Sequence, residues 1–212
     1  MKKVIFCILI LLIIVLGSFK ITFFNQDFYF NEFEKLDVYD NLNTNKFELT
    51  KAWYSTISYL ALSKENKITL VLNDENILTQ NEQSHMNDVR LLIQKIFSIL
   101  NMLYILLIAF ILINLKEFKK KSSEYFYVAG NTIMITCTLI VILSIINFQT
   151  TFNIFHQIFF TGNFAFPATS KLLLLFPERF FFDFAIRILG ISFIIGLIMN
   201  LFSNKKRIKF LS

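Results

Sequence analysis

The chain has 212 residues, 55% of them hydrophobic and 17% charged, with a formal charge of +6. Ordinary soluble domains are about 45–50% apolar and about 25% charged. With 27 phenylalanines, five glycines and two prolines, the composition excludes a disordered tail and a collagen-like fibre, argues against a soluble enzyme and points to an integral membrane protein.

The first apolar run covers residues 4–24, close to the ~20 residues that cross a ~30 Å hydrocarbon core. Lys2 and Lys3, followed by the apolar stretch 4–16, resemble the front of a signal peptide. No A-x-A-like cleavage site follows, and apolar character resumes at 21–24, so an uncleaved anchor is expected. Leu16-Gly17-Ser18-Phe19 lacks the cysteine of a lipoprotein signal. Lys20 can snorkel toward the membrane surface.

Residues 25–90 carry six basic and eleven acidic side chains, net −5, and are too polar to span. About 60 residues is marginal for an independent domain. The segment is expected to pack on the membrane and on the fourth-span side of the bundle. Residues 50–62 have helical spacing, with Trp53, Ile57 and Leu60 as the apolar face. The run 68–72 reads as a strand or extended arm, and Asn73-Asp74-Glu75-Asn76 as a turn.

Thr79-Gln80-Asn81-Glu82 fits a capping box. It predicts one helix from Thr79 to Leu115, roughly 55 Å long and nearly twice the hydrocarbon thickness. Its second half, 96–115, is the second span, and its first half projects above the membrane with His85 on it. His85, Val89, Leu92 and Ile96 recur at helical spacing, which places His85 on the inward, apolar face. Glu82 and Asp88 flank it one turn to either side.

The third span is expected at 126–148 and the fourth at 180–202. Between them Phe152, Phe155, His156 and Phe159 form a short amphipathic turn in the interface, ended by Gly162. Phe176-Pro177-Glu178 opens the fourth helix, with Pro suited to the first helical position and Glu to the first turn.

Charge placement orients the spans. Lys2 and Lys3 precede the first. Lys116, Lys119, Lys120 and Lys121 fill the short loop between the second and third. Lys205, Lys206, Arg207 and Lys209 follow the fourth. All three clusters fall on one side, as the positive-inside rule requires. Segments 1–3, 116–125 and 203–212 are then cytoplasmic, and 25–90 and 149–179 extracytoplasmic. The basic surplus is a topology signal that also meets anionic lipid, and nucleic acid is not expected as a partner. The expected fold is a single all-α membrane domain. It is a four-transmembrane-helix bundle with a mostly helical extracytoplasmic segment between helices 1 and 2 and an interfacial helix between helices 3 and 4. Cys7 and Cys137, the only cysteines, lie at different depths and read as small apolar residues.

The two histidines, His85 and His156, both fall in the outer layer and both on apolar faces. Each alone reads first as a core side chain. Two in one thin layer point to a site, because histidine is the side chain best suited to proton transfer near neutral pH. With Glu82 and Asp88 they could also present nitrogen and oxygen ligands to zinc, although no H-E-x-x-H motif occurs. No metal and no cofactor is expected. There is no G-x-S-x-G elbow for a serine nucleophile. Asp183 and Arg187, one turn apart inside the fourth span, are either a structural ion pair or a pair that orients a headgroup or ester. Arg90 and Arg179 near the same boundary are either solvated or able to bind phosphate or carbonyl oxygens.

Glu82-x-x-His85-Met86-x-Asp88-Val89-Arg90 resembles a signature of the bacterial lipoprotein intramolecular transacylase (Lit) family. A second resemblance lies in Phe155-His156-x-x-Phe159-Phe160, Phe166-Pro167-Ala168-Thr169-Ser170 and Leu175-Phe176-Pro177-Glu178-Arg179-Phe180. The family pattern has a Trp after the Phe-Phe pair and an acidic residue in the Phe-Pro block. Residues 163–165 lack the Trp, and Thr169 stands at the acidic position.

The resemblance implies a four-span acyltransferase acting on diacylglyceryl-modified bacterial lipoproteins in the cell membrane. It moves the sn-2 acyl chain to the α-amine of the N-terminal cysteine and gives a lyso-form lipoprotein. His85 and His156 are then the catalytic residues. His85 is the expected general base, oriented by Asp88 or Glu82, and His156 polarises the ester carbonyl or protonates the departing oxygen. The reverse assignment and an acyl-histidine stay open. Arg90, Glu178, Arg179, Asp183 and Arg187 are substrate-binding candidates. The competing readings are a non-catalytic assembly or sensing factor and a metal-dependent membrane hydrolase.

Overall fold

A computed structural model of the chain describes residues 1–160 and 166–211, with 204–211 as backbone only. Helix α1 (Lys2–Phe23) is followed by α2 (Gln26–Lys35), α3 (Val38–Asn41) and α4 (Lys46–Leu62). A hairpin of β1 (Val71–Leu72) and β2 (Glu75–Asn76) leads into α5 (Gln80–Ile113), α6 (Leu115–Ile146), α7 (Phe148–Phe159), α8 (Lys171–Leu175) and α9 (Glu178–Leu211). Four of these helices, α1, α5, α6 and α9 over Glu178–Ser203, are long and apolar enough to cross a membrane. The expected span 180–202 falls inside α9, and 4–24, 96–115 and 126–148 overrun the ends of α1, α5 and α6 by one or two residues.

Two boundaries differ from the sequence reading. The expected loop 116–125 is helical: only Asn114 separates α5 from α6, and Lys116–Lys121 lie in the first turns of α6. Lysine is a good helix former, so a basic run carries no stop signal. Helix α9 starts at Glu178, which leaves Pro177 just outside the first helical position. Gly162, the expected end of the amphipathic turn, and the 163–165 stretch lie outside the described residues.

The chain divides into two compact units. One comprises Met1–Thr22, Phe97–Ile146 and Ala185–Ser212. Its core centres on Phe6, which meets Tyr125 edge-on at 5.3 Å and Phe126 at 5.5 Å. Cys7, Ile10, Ala129, Ile133, Cys137 and Leu189 pack around it. Gly130 and Gly196 bring α6 and α9 together: a Cβ on Gly130 would stand 2.6 Å from the Gly196 carbonyl oxygen. Small residues permit such close backbone approach between membrane helices. Lys2 pairs with Glu117 at 2.8 Å, and Lys3 with Glu124.

The other unit comprises Phe23–Ile96 and Asn147–Phe184. Helix α4 begins where the Asn45 side chain accepts from the Phe47 and Glu48 amides, a standard N-cap. It buries Leu49, Ala52, Trp53, Ile57 and Leu60. Trp53 meets Tyr29 at 5.9 Å, and Tyr29 meets Phe180 at 5.3 Å. The hairpin turns at Asn73 and Asp74, with φ of 52° and 63°, the two positive values a type I′ turn needs. Glu75 and Asn76, read from sequence as part of the turn, form the return strand.

Candidate active site

The capping box at the start of α5 forms as its spacing predicts. The Glu82 Oε2 accepts from the Thr79 amide and the Thr79 hydroxyl, both at 2.7 Å. The Ser170 hydroxyl donates to the other carboxylate oxygen. Glu82 is buried, at 3% exposure. Burial pushes its carboxyl up, but the hydrogen bonds from Ser170 and Thr79 outweigh it and hold the group below the usual carboxylate range. Its described partners are therefore Thr79 and Ser170, and the flanking carboxylate whose charge acts on His85 is Asp88.

His85 follows one turn later, before the apolar stretch that begins at Ile96. It is half-buried, at the margin of the most buried stripe of α5, which runs through Glu82, Met86, Arg90, Ile93, Leu100 and Leu103. The sequence expected His85, Val89, Leu92 and Ile96 to be that stripe. The face is turned because Glu82 and Arg90 are buried with their own partners, and apolar periodicity does not register buried polar residues.

His156 lies in α7, which is preceded by Asn147, whose side chain accepts from the Thr150 amide as its cap. The two imidazole rings are 6.1 Å apart and 19° from parallel. Phe160 lies 4.9 Å and Phe166 5.5 Å from His85, both edge-on. Phe152 lies 4.2 Å and Phe160 5.4 Å from His156.

The His156 Nδ1 is 2.8 Å from the Phe152 carbonyl oxygen. A carbonyl only accepts, so Nδ1 carries the proton and donates it, and in the neutral ring Nε2 keeps its lone pair. Burial first, and then the neighbouring His156, lower His85 to about 4 against the opposing charge of Asp88. His85 is neutral at pH 7. The pair can thus accept a proton at one ring and donate a hydrogen bond from the other.

The charged candidates sit in different environments. Arg90 is 4% exposed. Its guanidinium donates to the Ser63 carbonyl at 2.9 Å, to Asn66 at 3.2 Å and to Asn87 at 2.8 Å, and it lies 5.7 Å from the Tyr59 ring. It clamps the chain after α4 onto α5. Asp183 accepts from Lys35 at 2.7 Å and from Arg179 at 3.1 Å. Lys35 comes from α2, and the sequence reading, confined to the i, i+4 pair with Arg187, missed it. Glu178 and Arg179 are exposed at the start of α9, and Arg187 is half-buried farther along it. Among the described residues, no three His, Cys, Asp or Glu side chains group closely enough to hold a metal ion.

Residues 4–181 match the family described as lipoprotein intramolecular transacylase Lit. The chain belongs to this family. Membership makes it an acyltransferase whose substrates are lipoproteins. Among solved structures, it resembles the membrane-integral Lit from Bacillus cereus with a TM-score of 0.83 and 21% identity. That match covers 100% of this chain and 97% of the other. Structures of that protein with the H85R and H85A mutations give TM-scores of 0.79 and 0.80 at 20% identity. They cover 98% and 100% of this chain, and 93% and 94% of theirs. The likeness establishes the shared Lit fold, all-α and membrane-integral. With the four apolar helices, it makes the chain a multi-pass membrane protein. No curated protein matches it significantly.

Proposed function

We propose that His85 and His156 together perform the family's transfer, moving the sn-2 acyl chain of a lipoprotein's diacylglyceryl group onto the α-amine of its terminal cysteine. The observation that carries this reading is the pair of near-parallel imidazoles 6.1 Å apart inside a phenylalanine wall. The amine nitrogen attacks the ester carbonyl carbon. A C–N bond forms, the ester C–O bond breaks, the amine gives up a proton and the glyceryl oxygen gains one.

An α-amine titrates near 7.7–8.0, so part of it is unprotonated at neutral pH. Donor and acceptor belong to one molecule, and orientation can supply an effective molarity of ~10⁵ M or more. The aromatic wall excludes water and disfavours hydrolysis.

The roles divide by ring geometry. His156 is the base, because the Phe152 carbonyl holds its Nδ1–H and so favours the tautomer that carries the lone pair on Nε2. His85, kept neutral by burial, donates N–H to the carbonyl oxygen as charge develops there. This reverses the assignment expected from sequence. Asp88 steadies His85 through its charge, and Glu82 acts on the chain around it. Glu178 and Arg179, the latter paired with Asp183 yet exposed, are the substrate-binding residues placed at the start of α9 to meet a headgroup. Asp183 and Arg187 support that end of α9 from within the helix, and Arg90 supports α5.

The basic clusters support a topology with both termini cytoplasmic and the histidines at the outer leaflet of the bacterial cell membrane. The exposed Ile154, Phe155, Ile158 and Phe159 of α7 suit contact with membrane lipid there.

Fragmentation mass spectrometry of lipopeptides from cells expressing the chain tests this reading. It locates the acyl chain, which an intramolecular transfer moves without changing mass. An acylated amine is expected with the native chain and none with His85→Ala or His156→Ala. An amine left free by well-expressed native protein sinks the proposal. His85→Gln keeps a donor and should retain partial activity, whereas His156→Gln, without a comparable base, should not. The opposite ranking would exchange the two roles.

A further inference from the structure

Ser170 is not part of the histidine pair, yet it sits where three structural elements are tied together. Its hydroxyl donates to Glu82 and accepts from the Leu173 amide at 3.3 Å, which caps α8. Its own amide donates to the Pro167 carbonyl at 2.9 Å and closes the turn 167–170. Glu82 is one helical turn before His85, and Phe166, immediately before that turn, places its ring edge-on to His85 at 5.5 Å. One buried carboxylate thus fixes the start of α5, the turn 167–170 and the start of α8, and the far end of the turn is the ring that walls His85.

We propose that Ser170 is a positioning residue for the transfer: by donating to Glu82 it holds Phe166 against His85, so that the acyl carbonyl meets the amine and not water. This inference rests on the transfer reading above. When the tie is lost, water competes for the same carbon. Its oxygen bonds to the carbonyl, the ester C–O bond breaks, the glyceryl oxygen takes a proton and a free fatty acid leaves.

The test uses the full chain in lipid vesicles with a synthetic diacylglyceryl lipopeptide, and measures N-acylated product and released fatty acid separately. Ser170→Ala should lower kcat for transfer roughly tenfold to a hundredfold and raise the fatty-acid share of the product. Phe166→Ala should reproduce that partition. Ser170→Thr keeps donor and cap and should restore both readouts. Ser170→Asp keeps the cap acceptor but has no proton for Glu82, so it should be as impaired as Ser170→Ala. A fully active Ser170→Asp overturns the proposal. So does a Ser170→Ala that loses transfer with no rise in fatty acid and is not rescued by threonine, which marks a role in folding alone. Native protein that performs no transfer overturns both readings, whereas native transfer with an unchanged Ser170→Ala overturns only this one.

Discussion

The two units bury polar groups in different ways. In the unit of Met1–Thr22, Phe97–Ile146 and Ala185–Ser212, the buried polar side chains among the described residues are Ser18, Thr22, Ser144, Ser192 and Ser203, all hydroxyls. In the unit of Phe23–Ile96 and Asn147–Phe184 they are Glu32, Thr56, Glu82 and Arg90. A hydroxyl in a helix can be satisfied by its own backbone. Ser192 donates to the Ile188 carbonyl at 2.8 Å and meets Ser18 at 3.1 Å. A buried charge needs several partners at once, and here they come from outside the helix that carries the charge as well as from within it. Arg90 takes partners from the chain after α4 as well as from α5, and Glu82 from Thr79 just before α5 and Ser170 just before α8. The region able to hold charges is also the one that holds both histidines.

The sharpest way to break this contrast is to remove one buried charge. Arg90→Ala should destabilise the protein by about 3 kcal/mol, because the Asn66 and Asn87 acceptors lose their charged donor. Arg90→Lys should recover little, since a point charge cannot reproduce the fork. Unfolding in detergent, followed by fluorescence of the single tryptophan, Trp53, reads both. A loss below about 0.5 kcal/mol would mean that the clamp is ornamental.

A smaller effect comes from His85. Its folded-state pKa is lowered to about 4 from 6.5, so the unfolded chain binds the proton more readily. The associated stability is present above 6.5 and is lost as pH falls toward 4. Between pH 7 and 5 the loss should reach about 2 kcal/mol, and His85→Gln should abolish that part of the pH dependence. If the substitution leaves the acid limb unchanged, His85 does not carry it. Glu82 adds a contribution of the same sign at lower pH, because its folded pKa is also lowered.

What the sequence made legible follows the range of the forces involved. The four spans, the capping box at Thr79 and the amphipathic Phe152–His156 face are set by neighbours within a few turns, and all were readable. The pairing of His85 with His156 came from the family resemblance and the shared layer, because no local rule brings residues on α5 and α7 together. The burial of Arg90 was hidden, since apolar periodicity counts it as solvent-facing, and Glu82, read as flanking the inward His85, gave no sign of its partner Ser170. Lys35 on Asp183 was hidden for the same reason that it matters: its partner is far away in sequence. Ser170 did carry a local signal, a serine immediately before the apolar run of α8, but its second role on Glu82 did not.

The smallest expected effect tests the other side of the comparison. The hydroxyl-lined unit should tolerate polar change and resist added volume, because its tightest approach is backbone against backbone. A Cβ on Gly130 would stand 2.6 Å from the Gly196 oxygen and 3.1 Å from the Asn200 nitrogen, and neither can rotate away. Gly130→Ala should therefore cost about 1–2 kcal/mol of stability and leave the product partition unchanged. Gly190→Ala is the control on the same helix pair's partner, α9. A Cβ there meets nothing within 4 Å, and alanine is the better helix former by about 1 kcal/mol, so the change should be neutral or stabilising. If Gly130→Ala instead altered the ratio of N-acylated product to fatty acid while stability held, packing in this unit would be tuning the chemistry of the other, and the division between a unit that packs and a unit that reacts would fail.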